Sequence, residues 1–176
     1  MVKLERERGS PILAGSAFCV DFIESTAYDY PLAILPSSVD GIIHILTKRG
    51  VLHLYDILAG KLLHTAKISQ VSMLLVTECN TTGGVICMNS IGNISSVSVN
   101  REVLVPYVLT ALHEEKLAMQ IARRADLPGA EYLFLEHFQR YMFSGEFKEA
   151  ATLAANSPRV RVAKWYDGST KYSRPL

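Results

Sequence analysis

The sequence predicts an α+β chain in two modules: antiparallel, four-stranded units of β-propeller blade type forming an incomplete propeller, then the short helices of an α-solenoid. Three observations carry this. Up to about residue 100, apolar residues recur in short runs with a period near two, broken by Gly, Ser, Thr and Asn. Beyond Pro106 they recur every three to four residues. Side chains alternate along a strand and return about every 3.6 residues along a helix, so sheet gives way to helix across 100–106. Strands first and helices after indicate two modules instead of an interleaved α/β domain. Third, the strand half repeats itself.

Composition bounds the rest. The 176 residues are 49% hydrophobic and 20% charged with net charge +1, a globular balance that gives no electrostatic reason to expect nucleic acid as partner. No apolar run reaches the roughly eighteen residues a membrane span needs. The start, Met1-Val-Lys-Leu-Glu-Arg-Glu-Arg8, mixes both charge signs ahead of a short apolar patch over 11–20, unlike a secretory signal. Cys19, Cys79 and Cys87 form no CxxC pair and no even framework, which suits a reducing, cytoplasmic compartment. The N-x-S/T matches at Asn80 and Asn93 are then accidental.

Residues 17–23 read as a strand and 24–30 as a polar connection. The runs 32–35, 42–47, 51–57 and 62–68 follow, separated by turn-forming residues that include Gly50. They make an antiparallel meander, with Gly50 as the left-handed residue of a hairpin loop. A second pass covers 73–77, 85–89 and 94–99. Sliding the chain by 42 positions sets Gly50 on Gly92, Leu32 on Leu74, Ile34 on Val76, Ile43 on Val85, Ile45 on Cys87 and Leu52 on Ile94. A period of about 40–45 residues with four strands per unit is that of propeller blades. Two blades cannot close a ring, and their open edges invite aggregation, so this half reads as the end of something longer.

The helical half opens with a short helix beginning near Pro106, which suits a first turn because its missing N–H is not needed there. Leu104, Val108, Ala111 and Leu112 line its apolar side. Leu117, Ala118, Ile121, Ala122 and Ala125 form the next stripe, opposite Lys116, Gln120, Arg123 and Arg124, a solvated face. Leu127-Pro128-Gly129 ends that helix. Ala130, Leu133, Phe134, His137, Phe138 and Tyr141 make a bulky stripe stopped at Ser144-Gly145. Phe147, Ala150, Ala151 and Ala154 carry a last helix, closed by Asn156-Ser157-Pro158. Short helices with small residues facing aromatics describe the stacked helix pairs of an α-solenoid, with an ordinary helical hairpin as the alternative.

No chemistry declares itself. His44, His53 and Asp56 lie close together on one predicted hairpin, and Cys87 falls on a packed strand position. The histidines (44, 53, 64, 113 and 137) and cysteines lack metal-ligand spacing, so catalytic, cofactor and metal residues are all read as none. A Cys/His nucleophile pair such as Cys87 with His44 lacks an orienting group and an oxyanion hole. Gly83-Gly84 is a turn, not a phosphate loop.

Several stretches resemble the clathrin heavy chain family. They are Leu46-Thr-Lys-Arg-Gly-Val-Leu-His-Leu-Tyr-Asp56, Val103-Leu-Val-Pro-Tyr-Val108, Leu117-Ala-Met-Gln-Ile-Ala-Arg-Arg-Ala-Asp-Leu-Pro-Gly-Ala-Glu-Tyr-Leu-Phe134 and Phe143-Ser-Gly-Glu-Phe-Lys-Glu-Ala-Ala-Thr-Leu-Ala-Ala-Asn-Ser-Pro158. That resemblance implies an N-terminal tail at 1–16, the last β-propeller blades at 17–100, the start of a zigzag helical linker at 101–158, and a divergent, unpacked tail at 159–176. It implies a non-catalytic vesicle-coat subunit, truncated or a fragment, on the cytosolic face of coated pits and coated vesicles. Adaptor-protein peptides and other clathrin chains would be its partners, and it would meet membrane only indirectly through adaptors. The earlier blades that carry the family's main adaptor groove are absent, so no peptide-binding residue carries over. The groove between the two repeats is the one candidate peptide site. Another propeller-plus-solenoid coat or tethering subunit, a fragment without function, and a small Cys/His hydrolase are the alternative readings.

Overall fold

The computed structural model describes residues 29–157, residue 38 excepted. The expected strand at 17–23 and the tail at 159–176 lie outside the described residues. Four strands, β1 (Pro31–Pro36), β2 (Ile42–Thr47), β3 (Val51–Asp56) and β4 (Leu62–Lys67), form one antiparallel sheet in sequence order. β5 (Met73–Cys79), β6 (Gly84–Asn89) and β7 (Ile94–Val97) form a second. Four helices follow: α1 (Arg101–Thr110), α2 (Glu115–Ala125), α3 (Glu131–Ser144) and α4 (Phe147–Ala155). Antiparallel strands followed by helices are thus what the chain forms.

The repeat extends to individual hydrogen bonds. Gly50 N–H donates to Thr47 O at 3.0 Å, and Gly92 N–H to Asn89 O at 3.0 Å. The Thr47 hydroxyl accepts from Val51 N–H at 3.1 Å, and Asn89 Oδ1 from Asn93 N–H at 3.0 Å. Lys48 N–H donates to Tyr30 O at 2.9 Å, and Ser90 N–H to Ser72 O at 2.8 Å. Both first strands shift register at the same place, between Pro31 and Ala33 and between Met73 and Leu75. Every one of these pairs keeps the offset that sets Gly50 on Gly92. The structure adds a glycine pair that the sequence alignment passed over. Gly41 and Gly83 both have positive φ (64° and 68°), and both donate N–H four residues back, to Ser37 O and Cys79 O.

The second unit departs from four strands. A fourth strand would fall near Leu104, the counterpart of Leu62 in that alignment, and α1 occupies the place instead. The reason is local and starts earlier than expected. Asn100 caps the helix, its side-chain oxygen accepting from Glu102 N–H at 3.0 Å. The helix therefore begins at Arg101 and Pro106 sits inside it, not in its first turn. Ala111, expected on its apolar side, is exposed, and Val105 is buried in its place.

The α2 stripe is buried as expected, but this helix ends two residues before Leu127. Asp126 takes the left-handed conformation (φ 49°) and Leu127 N–H donates to Ala122 O at 3.0 Å. α3 stops at Gly145 (φ 77°), whose N–H reaches Met142 O while Glu146 N–H reaches Tyr141 O, a Schellman cap. Along α4 the expected stripe is corrected. Phe147 and Ala151 are exposed, while Ala150 is buried and Leu153 packs against the core.

Two cores hold the described residues together. Leu46 and Leu52 of the first sheet pack with Met73 and Cys87 of the second. Ile42 and Leu63 meet the helices through Leu104, Val105, Val108 and Ile121. Each fully buried aliphatic side chain contributes about 1.5–3 kcal/mol of apolar burial.

Candidate functional site

Two features stand where sheet becomes helix: an apolar groove and a buried ionic cluster. The groove, about 250 Å³, lies between β3–β4 and the segment 98–107. Leu54, Leu63, Val99, Val103 and Leu104 line it. At its rim His64 Nδ1 and the Tyr107 hydroxyl are 3.0 Å apart, with the two rings edge to face at 83°. Each flanking feature has a local cause. β4 is the outer strand of its sheet, and Asn100 turns the chain into α1 across the opening. An apolar floor beside a sheet edge accepts an extended chain.

The ionic cluster is the residue set that sequence reasoning missed. Arg124, expected on a solvated helix face, is only 22% exposed and spans from α2 to the first sheet. Its Nη2 lies 2.5 Å from Asp56 Oδ1 and donates also to Gly41 O at 3.1 Å and Asp40 O at 3.3 Å. The other Asp56 oxygen accepts from Leu58 N–H at 3.0 Å and Ala59 N–H at 2.7 Å, fixing the β3–β4 turn. Arg101 Nε stands 3.0 Å from Asp40 Oδ1, and its Nη2 donates to Ala125 O at 2.8 Å, at the end of α2. That approach to Asp40 balances charge without the direction of a hydrogen bond, and leaves the oxygen without a donor among the described residues. Burial pushes the Asp40 carboxyl up, against the pull of Arg101, His44 and Arg124. Lys61 and Glu114 make a second, exposed ion pair between the β3–β4 turn and the α1–α2 connection. A sequence signal for the cluster did exist. Asp40 and Asp56 flank strands of apolar residues, and a carboxylate drawn into such a core requires a cation.

The titratable residues singled out from sequence are dispersed. His44 is buried on β2 and held neutral chiefly by desolvation, as is His53 on β3, whose Nδ1 lies 3.0 Å from the Thr65 hydroxyl. Cys87 is buried on β6, its Sγ 3.5 Å from Ser95 O, and burial pushes its thiol up, away from the reactive thiolate. His113 sits in the α1–α2 connection with φ 54°, and His137 is half-buried on α3. Among the described residues no group of three His, Cys, Asp or Glu is arranged to hold a metal ion, and no helix is long and apolar enough to cross a membrane.

Residues 126–165, which include α3 and α4, match the Clathrin-H-link family model. A probable clathrin heavy chain of Schizosaccharomyces pombe is 33% identical over 90% of this chain and 10% of its own length. Probable clathrin heavy chain 1 of Caenorhabditis elegans is 36% identical over 87% of this chain and 9% of its own. The clathrin heavy chain of Dictyostelium discoideum is 36% identical over 77% and 8%. The chain thus spans about a tenth of the length of the curated relatives it matches. On these matches, most of the chain is similar to one segment of clathrin heavy chains.

Proposed function

We propose that this chain is a non-catalytic structural part of a clathrin-type vesicle coat, acting in vesicle-mediated intracellular protein transport and endocytosis on the cytosolic face of coated pits and coated vesicles. Its role is geometric. In this reading the sheets are the last blades of an incomplete propeller and the helices begin the solenoid linker that carries them. Other clathrin chains and adaptor peptides are its partners, and membrane is met only through adaptors. The observation that carries the reading is the hydrogen-bond repeat shared by the two sheets, which passes directly into helices α1–α4 in a chain similar to a segment of clathrin heavy chains.

A further relation supports the blade reading. Leu46 and Leu52 of the first sheet are paired across strands and buried against the second sheet. Their equivalents in the second repeat, Met88 and Ile94, are paired in the same way with Leu75 completing the row, yet Ile94 is 71% and Leu75 63% exposed. The second sheet therefore presents the face that the first sheet uses for docking, which is what the open end of a blade array offers.

The groove lined by Leu63, Val103 and Leu104, at the junction of the first sheet with α1 and not between the two repeats as expected, is the proposed seat for an extended adaptor peptide. The test is an NMR titration of the full chain with a synthetic peptide of alternating apolar and acidic residues. Shifts should cluster at Leu63, Val103, Leu104 and Tyr107 and vanish in Val103→Glu. Binding that Val103→Glu leaves unchanged, or Cys87-dependent ester hydrolysis by the chain, would overturn the proposal.

A further inference from the structure

We propose that Arg124 and Arg101, set against Asp40 and Asp56, are an ionic lock that fixes the direction in which α1 and α2 leave the four-stranded sheet. The inference stands apart from the coat reading, because every contact it uses lies within the chain.

The apolar core between sheet and helices supplies adhesion but little direction. Ile42 and Leu63 meet a helical surface that includes Val105, Val108, Ala118 and Ala122. Burial of such surface is non-directional, so a small rotation of the helix pair exchanges one apolar contact for another. The ionic cluster is directional. One guanidinium nitrogen of Arg124 reaches the Asp56 carboxylate at the end of β3 and two adjacent backbone carbonyls of the β1–β2 connection, so a rotation of α2 breaks all three contacts together. Arg101 couples the start of α1 to the end of α2 through Ala125 O, and both to Asp40. Gly41 makes the approach possible, because a Cβ there would run into Nε and Cζ of Arg124.

The cluster is poorly suited to plain stabilisation. Asp56 and Asp40 are almost wholly buried, and Arg124 Nε and Nη1 are buried without a hydrogen-bond partner among the described residues. Buried ion pairs of this kind are often matched or exceeded in stability by apolar residues of similar volume, so their advantage here is a single allowed orientation. Two arginines from two helices converge on the two ends of one hairpin, Asp40 before β2 and Asp56 at the end of β3. That placement defines a fixed angle between sheet and helix pair.

The test places spin labels at Ile34→Cys on β1 and Gln120→Cys on α2, both exposed, in a full chain carrying Cys19→Ser and Cys79→Ser. Pulsed electron spin resonance should give one narrow distance peak for the parent. Arg124→Gln, which removes the charge and the reach of the shared donor nitrogen, and Asp56→Asn should each lose that single peak while far-ultraviolet circular dichroism is kept. The apolar pair Asp56→Leu with Arg124→Met, which also loses the two turn hydrogen bonds at Asp56, should fold yet remain broad. A peak as narrow as the parent's in Arg124→Gln and Asp56→Asn overturns the lock. So does an apolar pair whose folded fraction keeps the narrow peak, since the cluster would then act only as structural support.

Discussion

Gly129 leaves open the place that the Pro106 ring fills. A Cβ on Gly129 would sit 2.7 Å from Pro106 Cδ and 2.8 Å from its Cγ, and the glycine backbone itself has φ 107°. The turn after α2 is thereby seated on the middle of α1. Gly129→Ala should destabilise the chain by about 2–5 kcal/mol, combining backbone strain with overpacking. Gly145 is the control: its φ is 77° and nothing stands within 4 Å of a built Cβ. Gly145→Ala should lose only about 1–2 kcal/mol. Urea denaturation of both variants checks the difference.

Equivalent positions of the two repeats should respond unequally to the same substitution. Leu52 is 2% exposed, and its counterpart Ile94 is 71% exposed. Leu52→Ala should lose about 2–5 kcal/mol through lost burial and a residual cavity. Ile94→Ala should stay within about 0.5 kcal/mol. Equal losses in urea unfolding would mean that the outer face of the second sheet is covered in solution.

The two described cysteines should differ sharply towards alkylation. The Cys79 thiol is lowered to about 7, first by the Thr81 hydroxyl and then by Thr82, and it is not fully buried. Cys87 is buried and pushed up. Iodoacetamide at neutral pH should label Cys79 in the folded protein and Cys87 only after unfolding, as read by mass spectrometry. Thr81→Val should slow the labelling of Cys79. Rapid labelling of Cys87 in the folded chain would contradict its placement.

Acidification should weaken the fold through His44. Desolvation lowers the His44 pKa below the ordinary 6.5, so between those values the unfolded chain binds more protons than the folded one. Stability is therefore full above about 6.5 and falls as pH drops below it, by at most about 1.4 kcal/mol per pH unit for this group. Asp40 works in the opposite sense at lower pH. Its raised carboxyl binds a proton more readily in the folded state, so its burial penalty is relieved as pH falls through that raised value. Urea midpoints at about pH 7.5 and about pH 5.5 should converge in His44→Gln relative to the parent. An unchanged gap would show that His44 is not the group responsible.

Much of the architecture was readable from residue order alone. The β1–β7 runs, the α2 stripe, the stop at Gly145 and the internal repeat follow from side-chain periodicity and from glycine at positive φ. Those are properties of a few neighbouring residues. Pro106 looked like a helix start, but the Asn100 cap begins α1 five residues sooner. Docking decided the rest. Phe147 looked like core and faces outward, because a helix of nine residues offers more than one apolar side and only packing selects among them. Arg124 read as a solvated charge, since its pattern on α2 is that of an outer face. Its partner Asp56 lies 68 residues away, and no local periodicity encodes a pairing that exists only once sheet and helix meet. Residue order thus determined which elements form, and tertiary structure alone decided how they are aimed, because ion pairs across the junction depend on three-dimensional approach.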